Sequence, residues 1–222
     1  MNIAIISLIL TILGILIAVI VSPEARNYLK RISSVIFGFA KRKRFLIELE
    51  ELGIKRIYRK RIESPIRKSL FFTPQIPKQN IKIMGISLAT IKSEGDEPIK
   101  NLLKQNCKFQ FLLLDPNSIF MEQRAIQENP DIKGETEGFI KWIKETFSKS
   151  EYIGQIEVRI YDLMSTMSIT IINDNTLYVN PYSILRRNLE FPLIEIHKGG
   201  SLFELYTKEF DLVWARGKVV FP

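Results

Sequence analysis

The sequence predicts an α/β protein built from an N-terminal transmembrane helix, an amphipathic linker helix and a mixed-sheet α/β domain. Three observations lead to this prediction. An uncharged apolar stretch opens the chain, a basic segment follows it, and short apolar runs of strand length then alternate with amphipathic stretches of helix length. After the first stretch, the chain of 222 residues has room for one well-buried domain. We expect the parts at residues 1–22, 23–79 and 80–222.

Residues 3–21 carry no charge and are long enough, at about 1.5 Å per residue, to cross a hydrocarbon core about 30 Å thick. A cleaved signal peptide is the alternative, but no basic residue precedes the stretch and no small-x-small cleavage site is evident after it. Basic residues follow the stretch instead, so the positive-inside rule predicts a single-pass inner-membrane protein with its C-terminal domain in the cytoplasm.

The small and hydroxylated residues of this stretch share one helical stripe, because they are spaced three and four positions apart. Small side chains and hydroxyl groups are what allow membrane helices to pack closely. The stripe fits a pore in a homo-oligomer such as a tetramer, a packing seam between two helices, or a chance alignment. Its members are Ala4, Ser7, Thr11, Gly14 and Ala18.

A second helix is predicted to leave the membrane. Ser22, Pro23 and Glu24 form a helix start, with an N-cap, a proline in the first turn and an acid facing the helix dipole. Apolar residues then recur at helical spacing, and Gly53 suits the end of the helix. The proline-spaced segment 63–79 predicts an ordered connector.

The net charge of +8 belongs to the first third of the chain, where residues 1–68 hold 14 Lys and Arg against 5 Asp and Glu. Basic residues just inside a membrane attract anionic lipids by about 1 kcal/mol each. Repeated around the axis of an oligomer, they would also attract a polyanion such as single-stranded nucleic acid. Both partners stay open for the candidate ligand-binding cations Lys41, Arg42, Lys43, Arg44, Arg59, Lys60 and Arg61.

The domain itself is predicted to begin with a βαβ unit, in which strands at 81–88 and 107–116 flank a helix at 96–106 and run parallel. Helices follow near 119–128 and 135–148. A strand cluster comes next, at 155–162, 168–173, 176–182 and 191–196, and a helix at 201–214 ends the pattern. An Asp174-Asn175 turn predicts a hairpin between the second and third strands of the cluster.

Several kinds of chemistry find no support in the sequence. We find no glycine-rich phosphate loop, no Cys/His metal spacing and no nucleophile elbow, so we expect no metal or cofactor. The single cysteine, Cys107, forbids an internal disulfide, favours a reducing compartment and is interpreted as a small buried residue. Asp115 follows a buried strand, where both a ligand site and simple Asp-Pro turn chemistry fit.

The segments "IKIMGISL", "CKFQFLLLDPNS" and "VRIYD", followed by a hairpin and "NPY", resemble one half of the phospholipase D-like superfamily over about residues 53–215. An active half of that family carries His-x-Lys, four further residues and an Asp, ahead of a Gly-Ser pair. The matching positions here are Thr166, Ser168, Asn173 and Asn180-Pro181. Shifting the alignment by one residue brings in Asp174, but then Met167 and Ile169 occupy the His and Lys positions.

The resemblance therefore implies a phospholipase D-like domain without its catalytic motif, and not an enzyme. The one histidine of the chain, His197, has no visible partner constellation and is interpreted as a surface or strand-end residue. By their place in the family's pocket, the candidate ligand residues of the domain are Asn173, Asp174, Tyr182, Arg186 and Arg187.

A short hydrophobic helix ahead of a degenerate sensing domain is similar in layout to the membrane effectors of bacterial anti-phage defence, in particular the Hailong type. That resemblance implies a self-assembling ion channel that depolarises the cell, gated by a single-stranded DNA oligomer made by a partner nucleotidyltransferase. Two alternatives come from other classes: a membrane-tethered phosphodiesterase or nuclease, and a non-conducting membrane tether for a partner protein.

Overall fold

The computed structural model describes residues 27, 42–66, 80–127, 129–148, 155–182 and 191–222. The chain divides into two compact units, Met1–Glu48 and Leu49–Pro222. The predicted transmembrane helix, with the stripe from Ala4 to Ala18, and the connector at 67–79 lie outside the described residues. Within the part that is described, no helix is both long and apolar enough to span a bilayer.

The described part alternates strands and helices, as the sequence predicts. Its helices are α1 at residues 42–52, α2 Ala89–Lys92, α3 Glu97–Leu103, α4 Ile119–Gln127, α5 Ile132–Phe147 and α6 Ser201–Arg216. Its strands are β1 Ile54–Tyr58, β2 Asn80–Gly85, β3 Lys108–Leu114, β4 Ile156–Tyr161, β5 Met167–Ile172, β6 Thr176–Pro181, β7 Leu193–His197 and β8 Lys218–Phe221. A short 3-10 turn, Arg61–Glu63, follows β1.

The eight strands form one mixed sheet in the order β1-β7-β6-β5-β2-β3-β4-β8. β2, β3 and β4 run parallel, which confirms the predicted βαβ unit. The other pairs are antiparallel. β2 thus has a parallel neighbour in β3 and an antiparallel neighbour in β5, and the direction of pairing changes at this strand.

Helices cover the sheet on both faces, which explains why β3 is an almost unbroken apolar run. Alternate β3 side chains enter two separate cores. Phe109 and Phe111 pack on the face that carries α2, α3 and α5, whereas Leu112 and Leu114 pack on the face that carries α4 and α6. All four side chains are at most 1% exposed, so the middle of the sheet is a fixed platform for the loops at its edges.

The two edge strands were not predicted. β1 lies inside the predicted linker at residues 23–79, yet it pairs with β7, so the compact unit starts at Leu49 and not at residue 80. β8 follows the last predicted helix and pairs with β4. Three of the five β1 side chains and two of the four β8 side chains are exposed, because each edge strand has one neighbour. Neither strand therefore shows the apolar alternation that marks a strand in a sequence.

A close contact between two glycines joins the end of α1 to the start of α6. Gly53 ends α1 with a φ of +79°, as expected for a C-terminal cap, and its carbonyl oxygen accepts a hydrogen bond from the His197 amide at 2.9 Å. A Cβ atom added to Gly200 would clash with the Cα and N atoms of Gly53 and with the carbonyl carbon of Leu52. Both partners of this contact are backbone, which cannot move aside as a side chain can.

We therefore predict that Gly200→Ala lowers the free energy of unfolding by about 1–3 kcal/mol, the usual cost of overpacking. Thermal or denaturant unfolding measures the change. Gly138→Ala is the control, because Gly138 lies inside α5 and an added Cβ would meet only the flexible end of Lys92 at 3.3 Å. There the same substitution should stabilise the helix by about 0.5–1 kcal/mol. Equal effects at the two positions would contradict the account.

A buried carboxylate anchors β1 to β7. Glu195 accepts a hydrogen bond from the Tyr58 hydroxyl at 2.8 Å, and it lies 3.4 Å from the Lys55 ammonium and 3.3 Å from His197 Nε2. Burial acts to raise the pKa of Glu195, but the hydrogen bonds from Tyr58 and His197 and the charge of Lys55 outweigh it and lower that pKa. The cluster thus favours the ionised carboxylate in the folded state.

We predict that Tyr58→Phe lowers the free energy of unfolding at pH 7 by about 1.5–3 kcal/mol, the range for a hydrogen bond to a charged group. Because the folded state lowers the pKa of Glu195, this stabilisation is present above the ordinary glutamate pKa. It is lost as the pH falls through the lowered pKa. Wild type and variant should therefore converge in acid, as denaturant unfolding from pH 7 to pH 3 would show.

Tyr206→Phe is the matched control for the pH series, since Tyr206 lies on α6 away from Glu195. Its difference from wild type should not depend on pH. A Tyr58→Phe difference that is constant down to pH 3 would contradict the stabilising role of the ionised Glu195.

Candidate functional site

A cavity of about 150 Å³, lined by both polar and apolar residues, lies at the carboxyl end of β2, where the direction of pairing changes. Ligand sites in α/β sheets favour such places, because the connections diverge there and leave a crevice. The cavity takes its walls from the end of β2 and the residues after it, from the start of β5, from the end of β6, from α5 and from the 3-10 turn after β1.

The floor of the cavity depends on Gly85, the last residue of β2. A Cβ atom there would come within 2.6 Å of the Leu88 side chain. Leu88 itself has a φ of +52°, so the chain turns sharply after the strand. The Ile86 amide donates a hydrogen bond to the Tyr182 hydroxyl oxygen at 3.0 Å, which fixes the tyrosine at the rim. Strand and rim are thereby held in one arrangement.

A second layer of polar contacts supports this rim. The Arg124 guanidinium lies 5.2 Å from the centre of the Tyr182 ring and donates to the Ser165 carbonyl oxygen at 2.7 Å. The Tyr161 hydroxyl donates to the Gly85 carbonyl oxygen at 3.4 Å, and burial raises the pKa of Tyr161 well above its ordinary value. The Tyr161 hydroxyl therefore acts here as a neutral donor.

An acidic wall faces the cavity from α5. Glu135 accepts hydrogen bonds from the Ser87 hydroxyl and from the Asn129 side-chain amide, each at 3.0 Å. Ser87 lies in the turn Ile86–Leu88 that follows β2, and Asn129 precedes α5. A carboxylate offers about four acceptor positions, so this wall suits a ligand group that donates hydrogen bonds.

A basic and hydroxylated wall faces it from the other side. Arg61 lines the cavity, and its backbone amide donates to the Phe191 carbonyl oxygen at 2.8 Å. Burial lowers the pKa of its guanidinium. Among the described residues, no carboxylate lies within 4.0 Å of the Arg61 side chain. Taking a charge out of water without a partner is costly, so this wall suits an anionic ligand group.

Ser168 and Thr170 add two hydroxyl groups to the basic wall. Both side chains lie on the same face of β5, are less than 10% exposed, and enter no side-chain hydrogen bond within the described part of the chain. Asn180 stands opposite Ser168 in β6 and is fully buried. Its side-chain amide donates to the Pro192 carbonyl oxygen at 2.8 Å, while its Oδ1 finds no donor among those same residues.

The structure separates the residues that the sequence assigned to one pocket. Tyr182 lines the cavity, but Asn173 and Asp174 lie in the hairpin turn at the other end of β5, with φ values of +54° and +47°. Five residues of strand separate Asn173 from Ser168, roughly 17 Å at 3.4 Å per residue. Asp174 instead accepts a hydrogen bond from the Asn80 amide at 2.6 Å and lies 3.3 Å from the Lys82 ammonium.

The predicted grouping of Asn173 and Asp174 with Tyr182 is therefore wrong, because β6 lies between them and they are at its opposite ends. The predicted cations also divide. Arg61 enters the cavity, Arg59 and Lys60 are exposed beside it in sequence, and residues 42–44 are exposed on α1. Lys41, Arg186 and Arg187 lie outside the described residues.

Other predicted features are placed as follows. Cys107 is fully buried, as expected. The Asp115 side chain accepts a hydrogen bond from the Asn117 amide at 2.8 Å, which is turn chemistry. His197 ends β7 beside Glu195 and does not line the cavity. In the described part of the chain, no group of three His, Cys, Asp or Glu residues is placed to hold a metal ion.

Sequence reasoning missed Ser87, Asn129 and Glu135. Ser87 had a usable signal, since it lies at the carboxyl end of the predicted strand 81–88 of the parallel βαβ unit, where ligands gather. Asn129 and Glu135 had none, because a loop asparagine and a helical glutamate are ordinary surface residues until tertiary packing brings them to the cavity.

No protein-family model matches the sequence, and no curated protein matches it significantly. Solved structures do. TrmBL2, an archaeal chromatin protein with a novel mode of DNA binding, is similar at a TM-score of 0.47 and 17% identity, covering 88% of this chain and 67% of that one. The phospholipase D family member Nuc from Salmonella typhimurium is similar at a TM-score of 0.39 and 10% identity, covering 70% and 91%.

The phosphatidylserine synthase of Haemophilus influenzae Rd KW20 is similar at a TM-score of 0.46 and 14% identity, over 74% of this chain. The match covers 39% of the synthase, so this chain corresponds to well under half of that protein. Nuc and the synthase both belong to the phospholipase D family, the family that the sequence resembles.

We predict that Arg61→Met raises the free energy of unfolding of the ligand-free protein by about 1 kcal/mol, because it removes a desolvated charge that has no counter-ion in the described structure. Arg159→Met is the control. Arg159 donates to Glu157 at 2.6 Å and to the Trp214 carbonyl oxygen at 2.8 Å, so its loss should destabilise by about 1–3 kcal/mol. Thermal unfolding of wild type and both variants measures the two changes in the free energy of unfolding. Equal destabilisation would show that Arg61 is a structural residue.

Proposed function

We propose that this chain is a membrane effector whose folded unit binds a phosphate-bearing ligand without cleaving it. Ligand binding there controls a homo-oligomeric transmembrane assembly that conducts ions. The observation that carries the proposal is the composition of the cavity. It offers a guanidinium and two hydroxyl groups to an anion, but no imidazole to attack a phosphorus atom.

The position of Ser168 supports binding without catalysis. In the sequence alignment with the phospholipase D-like family, Ser168 replaces the family's lysine and the exposed Thr166 replaces its histidine. A histidine nucleophile forms the covalent intermediate of that chemistry, and neither a serine nor a threonine without an adjacent base can replace it. The one histidine of the chain is held by Glu195 on β7 instead.

The membrane part of the proposal is supported by the sequence. Residues 3–21 carry no charge, and the stripe of Ser7, Thr11 and Gly14 suits close packing of several helices. The basic residues that follow place the folded unit in the cytoplasm, by the positive-inside rule, and contact anionic lipids there. By the layout resemblance to anti-phage effectors, the ligand is a nucleotide or a single-stranded DNA oligomer supplied by a partner nucleotidyltransferase.

The path of the chain supports control of the transmembrane assembly by the ligand-binding cavity. Arg61 lies eight residues after Gly53, and β1 between them is an edge strand anchored through Glu195. A ligand that pulls on Arg61 therefore acts on the strand that begins where α1 ends. The backbone contact between Gly53 and Gly200 leaves no slack at that junction, so a shift of β1 has to change the junction as well.

We predict that expression of the full chain with its activating ligand depolarises cells, and that Gly14→Leu abolishes this because a bulky side chain fills the stripe. Ile15→Leu is the control, since it introduces the same side chain off the stripe. A voltage-sensitive dye reports depolarisation, and cross-linking in the same detergent extract reports the oligomeric state.

A monomeric chain that leaves the membrane potential unchanged would overturn the channel proposal. Depolarisation that survives in Gly14→Leu would overturn the role of the stripe. Hydrolysis of a DNA oligomer by the purified chain, lost in Ser168→Ala, would overturn binding without cleavage and favour a membrane-tethered phosphodiesterase. An oligomer that does not conduct, even with bound oligonucleotide, would favour a membrane tether for a partner protein.

A further inference from the structure

The two walls of the cavity have opposite chemistry. Arg61 is tied by its backbone to Phe191, and the next residue, Pro192, accepts a hydrogen bond from Asn180, which pairs with Ser168. This chain of contacts connects the Arg61 backbone to β6 and β5, and Arg61 lines the cavity together with Ser168 and Thr170 of β5. Glu135, with Ser87 and Asn129, forms the wall after β2. One side of the cavity offers donors to an anion, and the other offers acceptors.

The size of the cavity limits what enters. Pockets that enclose a whole small-molecule ligand measure about 300–1,000 Å³, and this cavity measures about 150 Å³. It therefore accepts one group of a ligand, such as a phosphate with the first atoms attached to it. Backbone of β2 and side chains of β5, α5 and the 3-10 turn line the space around that group, and the rest of the ligand leaves through the open side of the cavity.

The charge of the wall favours a phosphate that ends a chain. A guanidinium binds two phosphate oxygens side by side, and hydroxyl groups donate to a third. A terminal phosphate offers three free oxygens and close to two negative charges, whereas a phosphate inside a chain offers two free oxygens and one charge. The three donor groups Arg61, Ser168 and Thr170 therefore match the three free oxygens and the larger charge of a terminal phosphate better than those of an internal phosphodiester.

We infer that the cavity recognises the phosphorylated end of a nucleotide or short oligonucleotide. The terminal phosphate lies against Arg61, Ser168 and Thr170, and a donor group of the adjoining sugar or base lies against Glu135. This inference rests on the proposed function, since it names the ligand group that the same cavity takes. The site would then recognise the end of a chain, because a terminal phosphate offers it more charge and one more free oxygen than a phosphate inside a strand.

Binding is measured on the full chain in detergent, with a fluorescent DNA tetranucleotide that carries a 5′-phosphate, a 3′-phosphate or neither. Wild type should bind one of the phosphorylated forms at least tenfold more tightly than the unphosphorylated form. In Arg61→Ala this preference should disappear. In Lys60→Ala, which removes an exposed cation next in sequence, the preference should remain while overall affinity falls slightly.

Inorganic phosphate serves as a competitor. It shows whether the phosphate group itself, and not the rest of the tetranucleotide, occupies the cavity. It should displace the phosphorylated tetranucleotide from wild type and have no effect on the residual binding of Arg61→Ala. Equal affinity of wild type for all three tetranucleotides would overturn the inference. So would a preference that survives Arg61→Ala but not Lys60→Ala, which would place the phosphate on the exposed basic residues.

Failure of this inference and failure of the proposed function give different results. A phosphate preference that depends on Arg61, in a chain that never depolarises cells, upholds the end-recognition site and removes the channel. Depolarisation by an unphosphorylated oligonucleotide, without any preference for a terminal phosphate, upholds the effector and removes the site.

Discussion

The change in strand direction at β2 is the constraint on which the cavity depends. A parallel neighbour on one side and an antiparallel neighbour on the other send the connecting chains apart at the carboxyl end of the strand, and the space between them is the site. Gly85 keeps that space open by allowing the chain to turn closely behind it. The neighbouring strand β3, whose residues 111–114 are fully buried, gives the floor a firm support.

The partly buried guanidinium of Arg61 links the stability of this fold to its proposed function. No carboxylate lies near it in the described structure, so its partial desolvation has a cost in the ligand-free state, and an anion that enters the cavity would remove that cost. The recovered desolvation energy adds to the free energy of binding, and it acts at Arg61, which follows the edge strand β1. An edge strand has one hydrogen-bonded neighbour, so it shifts more easily than the strands at the centre of the sheet.

Much of the sheet was predictable because apolar runs and turn residues mark its inner strands. The edge strands β1 and β8 were not predictable, because their exposed positions hold both polar and apolar side chains and so show no alternation of the two. For the site, the sequence singled out Arg61 and Tyr182 by charge and by family position. It placed Tyr182 in one pocket with Asp174, although β6 separates them and its two ends lie at opposite edges of the sheet. Glu135 reaches the cavity through the packing of α5, which no local pattern encodes.

The central claim is that the cavity at the end of β2 binds a phosphate and leaves it intact. A crystal structure of the protein with a 5′-phosphorylated DNA dinucleotide tests this most directly. The account predicts an uncleaved dinucleotide with its terminal phosphate between Arg61 and the hydroxyls of Ser168 and Thr170. A phosphate bound at the Asn173-Asp174 turn, or a cleaved dinucleotide in the cavity, would contradict it.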